Sequence, residues 1–196
     1  MALLLLDLPC ALCTPTGCWR LFRFVCDGGA YFGSLWYGLQ LLGVRIGQVN
    51  FFALLFFFVG AAAFAYFYFQ TKEVPEFATM AFLIVAVFTS SSKVYSPQYV
   101  VWLTPLAVLA IRDKSLRKDF WIWQAGEMIY HLAVWEYLAS YTGAHFGLPA
   151  RGYALSIFIR LATTIWFASR LIKTSSTPKF QPQEPEFLSI AADGYA

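Results

Sequence analysis

The chain has 196 residues, of which 59% are hydrophobic, 19% aromatic and 13% charged, with a net charge of +3 and a mean hydropathy of +0.59. Water-soluble domains carry about 25% charged residues, so this composition excludes a domain whose whole surface faces water. The small positive balance points to no nucleic-acid partner, and membrane lipid is the partner that the composition implies.

The opening MALLLL has no basic start, and Asp7 and Pro9 end it before the ~7–15 apolar residues of a signal sequence, so no cleaved signal is expected. Residues 1–48 read as an extracytoplasmic, interfacial segment in which Trp19, Phe22, Phe24, Tyr31, Phe32, Trp36 and Tyr37 alternate with Arg20, Arg23 and glycines. Such aromatics settle at the headgroup level. The apolar spacing over 32–42 predicts an amphipathic helix lying in the interface. Cys10, Cys13, Cys18 and Cys26 fall in the same segment. They include a single C-x-x-C with no histidine nearby, so no metal site is expected, and both disulfides and free thiols are compatible with the spacing.

A bilayer core about 30 Å thick takes roughly 20 apolar residues per helical crossing. Residues 49–70, 76–92, 97–111, 119–140 and 150–172 qualify, the third only if the 95–99 region enters the interface. The runs are continuous rather than alternating, and in lipid every backbone polar group must be paired internally. The expected fold is therefore all-α, a polytopic bundle of about five transmembrane helices over 49–173, followed by a disordered cytoplasmic tail over 174–196. Arg112, Lys114, Arg117 and Lys118, and then Arg170, Lys173 and Lys179, mark the cytoplasmic side. That places 72–76 inside, and 1–48, 93–99 and 140–150 outside.

Two groups of residues carry more chemistry than spanning requires. Gln124, Glu127 and His131 follow one another at helical steps and share a face, and Arg160 reaches a similar depth on the last helix. Ionisable groups cost about 2.5–3.5 kcal/mol each at membrane depth on insertion scales, so this face must point inward. It either locks two helices through a Glu127–Arg160 pair or forms the polar wall of a substrate cavity. The second group is SSKVYSPQYVVWL, residues 91–103. Pro97 favours a turn or a helix's first residue. With Ser96 as cap, Lys93, Gln98, Tyr95 and Tyr99 gather round a helix start that suits an anion such as phosphate. The alternative is a snorkelling lysine beside a capped helix.

The run KVYSPQYVVWLTPL, residues 93–106, resembles a characteristic stretch of the integral-membrane glycosyltransferases of family 87. These are actinobacterial enzymes of the C-type fold that draw sugar from a polyprenyl phosphate. FWIWQAGE, residues 120–127, after the basic loop, and the helix around Arg160 are similar too, as are PTGCWRLFRF, residues 15–24, and FGSLWY, residues 32–37. The resemblance covers roughly 8–173. It implies transfer of mannose or arabinose from a polyprenyl-phosphate donor to a glycan or glycolipid acceptor at the outer face of the plasma membrane, with no cofactor. Lys93, Ser96, Gln98 and Tyr99 would bind the donor phosphate.

It also implies a catalytic carboxylate on an outer loop among amino-terminal helices that this sequence does not contain, so the catalytic residue is unknown. Residues 27–31, DGGAY, replace a stretch that in the family usually carries an arginine and a second acid. Either a separate amino-terminal half completes the enzyme, or the chain is a non-catalytic subunit or inactive remnant that keeps a lipid-phosphate-binding surface. A transporter would show an internal repeat or paired broken helices, and the sequence has neither.

Overall fold

The computed structural model describes residues 28–71 and 75–175. The opening run, the four cysteines, residues 15–24, Lys72 and the tail beyond 175 lie outside the described residues. Those described are all-helical: α1 (Leu35–Leu41), α2 (Val49–Gln70), α3 (Phe77–Ser91), α4 (Tyr99–Ala110), α5 (Leu116–Tyr141) and α6 (Ala150–Ser175).

Helix α1 begins where the Ser34 hydroxyl accepts the Tyr37 N–H at 3.1 Å, the usual exchange at a helix start. It is shorter than the 32–42 expected, and it does not simply lie in the interface. Its Trp36 is buried and donates Nε1–H to the Ser91 carbonyl at 3.1 Å, while Gly38 abuts Ile157 and Phe158 of α6.

Helix α2 matches the expected first crossing. Phe51, Phe52, Leu54, Leu55, Phe58 and Val59 are all exposed, and only Val49 and Phe67 are buried. A helix apolar all round and still uncovered has no partner in water that would hold it.

Helices α5 and α6 form the most extensive pairing, with α1 against α6; α2, α3 and α4 pack in sequence, and α3 reaches α6. At the α5–α6 crossing, a Cβ on Gly126 would lie 2.1 Å from Thr163 Oγ1, so the backbone approach requires a residue without one. One core sits toward the end of the bundle that carries the 111–115 connection, where Trp123 and Phe167 stack at 5.4 Å with Phe82 edge-on to both. A second, toward the opposite end, is built of Tyr95, Tyr130, Tyr137, Tyr153, Ile157 and Leu161.

Among the described residues, α2 and α6 are long and apolar enough to cross a membrane, fewer than the five crossings expected from sequence. The physical reason differs between the other three. With 15 and 12 residues, α3 and α4 are apolar but rise only about 22 and 18 Å at 1.5 Å per residue. Helix α5 has the length, at 26 residues, but Asp119, Gln124, Glu127 and His131 dilute its apolar character.

Candidate functional site

The expected polar face of α5 is turned inward, and each member bonds to the segment running from the end of α3 into α4. Gln124 donates Nε2–H to Thr104 Oγ1 at 3.0 Å. Glu127, 1% exposed, has both carboxylate oxygens 3.1 Å from the Tyr95 hydroxyl. His131 places Nδ1 2.7 Å from the Glu127 carbonyl oxygen and Nε2 2.9 Å from that of Pro97. A neutral imidazole has one N–H to offer these two acceptors, the imidazolium two.

Arg160, 1% exposed, is brought to the same place but makes no direct ion pair with Glu127. Among the described residues the ion pairs are Arg112–Glu76 and Arg170–Asp119. The expected Glu127–Arg160 pair is replaced by a relay through Tyr95. Its hydroxyl faces the carboxylate, and its ring carries the guanidinium carbon 3.4 Å from the centroid. A desolvated cation on an aromatic face is worth about 2 kcal/mol or more. Arg160 Nη2 also donates to the Gly33 carbonyl at 3.2 Å, while its buried Nε has no partner.

Tyr95 is thus the hub, and the sequence offered it only as one neutral donor among several. It is 1% exposed; its N–H donates to the Phe32 carbonyl at 3.2 Å, and its own carbonyl accepts the Tyr130 hydroxyl at 3.1 Å. Burial of a loop tyrosine depends on what docks over it, which here is residues 31–34. Gly33 makes that docking possible: its φ is +75°, and a Cβ would meet Tyr130 Oη at 2.0 Å and the Tyr95 oxygen at 2.5 Å. The column of Tyr130, Tyr153 and Tyr137, the last two stacked at 4.5 Å, was also missed. Its signal was the seven-residue spacing of Tyr130 and Tyr137 on the α5 face that carries Glu127.

The loop over 93–98 lies directly on this cluster. Lys93 is half-buried and donates Nζ–H to the Gly28 carbonyl at 3.0 Å, and its own carbonyl accepts the Tyr31 N–H at 2.9 Å. Ser96 does not cap α4. It opens a turn with Pro97 in second position, whose closing bond runs from the Tyr99 N–H to the Ser96 carbonyl at 3.0 Å. Helix α4 then starts from Gln98 without a side-chain cap. A turn of this kind accepts proline at its second position as readily as a helix does at its first. Consequently the Tyr99 amide, and that of Val101, which donates to the Gln98 carbonyl at 3.0 Å, are already used.

The expected cradle of helix-start amides is therefore reduced. The loop instead offers an ammonium held in place on a carbonyl, the exposed Gln98 carboxamide, and Tyr99, whose ring packs edge-on to Tyr95 at 5.4 Å and lies 4.9 Å from Trp102. Ser96 is half-buried beside them. Lys93, Ser96, Gln98 and Tyr99 thus lie on one short stretch above buried Glu127 and Arg160 and half-buried His131, and Tyr95 and Pro97 belong to both. Gln124 lies one turn deeper.

No family model, no curated protein and no solved structure matches the chain. The resemblance to family 87 rests on the residues quoted for it.

Proposed function

We propose that this chain is the carboxy-terminal, donor-binding part of a membrane glycosyltransferase that crosses the plasma membrane five times. It moves mannose or arabinose from a polyprenyl phosphate to a lipid-linked or cell-envelope glycan at the outer face. The observation that carries this reading is the loop over 93–99, held from beneath by a buried carboxylate, a buried guanidinium and a histidine. A loop that only reversed the chain would not repay burying charges at about 2.5–3.5 kcal/mol each. A loop that must present a cation at a fixed height in the outer leaflet would.

In the transfer, a base takes the proton from the acceptor hydroxyl. The bond from the sugar's anomeric carbon to the phosphate oxygen breaks as the bond to the acceptor oxygen forms, and the departing phosphate gains negative charge. Lys93 suits that charge, and Gln98 and Tyr99 suit the remaining phosphate oxygens. Glu127 does not suit the base, because it is buried and already engaged by Tyr95. That observation favours a second reading, a non-catalytic subunit or remnant that binds the lipid phosphate without turning it over.

Transfer measured in membranes with and without this chain, from radiolabelled polyprenyl-phosphate mannose and arabinose, separates the two readings. Sugar incorporation that depends on the chain and falls at least tenfold in Lys93→Ala is expected. Incorporation that is the same without the chain would contradict a catalytic role.

A further inference from the structure

We propose that the inner end of the bundle holds an anionic phospholipid through a headgroup seat on α5. The inner end gathers Arg112, Lys114, Arg117, Lys118, Arg170 and Lys173. Every acid that the structure describes there is already engaged. Glu76 pairs with Arg112, and Asp119 takes Arg170 Nε–H and Trp166 Nε1–H at 2.9 Å each. Asp113 accepts the backbone N–H and the hydroxyl of Ser115, which hold its carboxyl below the usual value. Lys114, Arg117 and Lys118 are exposed and form no ion pair among the described residues. Arg117 and Lys118 also stand in the first turn of α5, where the helix end is itself positive. The like charges of Lys114, Arg117 and Lys118 repel one another unless an anion lies among them.

What lies below the cations identifies the anion as a lipid's. Trp121, 69% exposed, follows Lys118 by three residues and Arg117 by four, so it shares their face. The same face continues through exposed Ala125, Met128, Leu132 and Trp135. Cations, then an indole, then an apolar stripe is the order met on passing from headgroup phosphate through the glycerol level into the acyl chains. Arg117 offers a planar fork to phosphate oxygens, and Lys114 and Lys118 offer point charges. The seat requires the chain to cross the bilayer but is independent of the transfer reaction, so a chain inactive in transfer can still carry it.

The test reconstitutes the full chain in phosphatidylcholine bilayers and measures, by electron spin resonance, the association of spin-labelled phosphatidylglycerol relative to spin-labelled phosphatidylcholine. A preference of at least about fivefold for the anionic lipid is expected, the contribution of a single surface cation. It should fall toward unity in 1 M salt, where the screening length is about 3 Å, a readout that needs no variant. Lys114→Gln/Arg117→Gln/Lys118→Gln should abolish it. Lys114→Arg/Lys118→Arg should keep it, as should Arg45→Gln/Arg151→Gln, which removes exposed cations from the opposite end. Equal association of the two lipids with the unaltered chain, or a preference that survives both salt and the triple substitution, would overturn the proposal.

Discussion

Replacing Tyr95 by phenylalanine removes one oxygen from the hub and leaves the ring that carries Arg160. Hydrogen bonds to charged groups contribute about 1.5–3 kcal/mol in water-soluble proteins, whereas side-chain bonds between helices in lipid average about 0.6 and reach about 1.7 kcal/mol. Two features decide where Tyr95 falls. The acceptor is a buried carboxylate, which raises the figure. The hydroxyl lies 3.1 Å from both oxygens, longer than the 2.5–2.7 Å of a strong O–H···O⁻ bond, which lowers it.

We therefore expect Tyr95→Phe to cost about 1.5 kcal/mol, and Tyr95→Leu, which also removes the ring beneath the guanidinium, at least about 2 kcal/mol more. Unfolding of the purified chain in mixed detergent micelles, titrated with SDS and followed by far-UV circular dichroism, measures both. In a Glu127→Gln background the Tyr95→Phe penalty should shrink to well under 1 kcal/mol, because the charged acceptor is gone. A Tyr95→Phe cost below about 0.5 kcal/mol, or the same cost in both backgrounds, would refute the relay.

Glu127→Gln alone should destabilise the bundle by leaving the Arg160 charge uncompensated, and Arg160→Gln added to it should recover part of the loss; strictly additive losses in the same SDS titration would show that the charges do not communicate. Gly33→Ala should cost more than about 2 kcal/mol, since the new Cβ both strains the backbone and displaces the Tyr130 hydroxyl. Gly126→Ala should cost about 1–3 kcal/mol by overpacking against Thr163, and Thr163→Ala should restore part of it; an unchanged SDS midpoint would disprove the close crossing. For the five-crossing topology, a cysteine at Ser92 should react with an impermeant thiol reagent in intact cells and one at Ser115 should not, in a background without the native cysteines, and the reverse pattern would invert the orientation.

Helix positions were legible because the apolar runs are long and unbroken: 49–70 is helical over its whole length, and 150–172 lies within α6. The inward face of α5 was legible too, since buried charge must turn away from lipid. What the sequence could not disclose depended on docking between distant segments. Pro97 fits a helix start and a turn equally well, and the choice follows from the pairing of 31–32 with 93–95. The same pairing buries Tyr95, so Glu127 and Arg160 could be placed at one depth while the residue between them went unrecognised. The loss of the Ser96 cap and of the Tyr99 and Val101 amides at α4 leaves Lys93 with a larger share of any phosphate binding than the sequence assigned to it.

Photo-crosslinking with a polyprenyl-phosphate analogue bearing a diazirine beside the phosphate tests the central claim most directly. The full chain would be labelled in membranes that also contain whatever helices assemble with it, and the adduct mapped by peptide mass spectrometry. The account predicts labelling within 93–99, lost in Lys93→Ala, partly kept in Lys93→Arg because charge survives while geometry changes, and little altered in Ser96→Ala because Ser96 caps nothing. Undiminished labelling in a Lys93→Ala chain that inserts normally would contradict it, leaving Lys93 as a clasp on Gly28 and the loop without a donor.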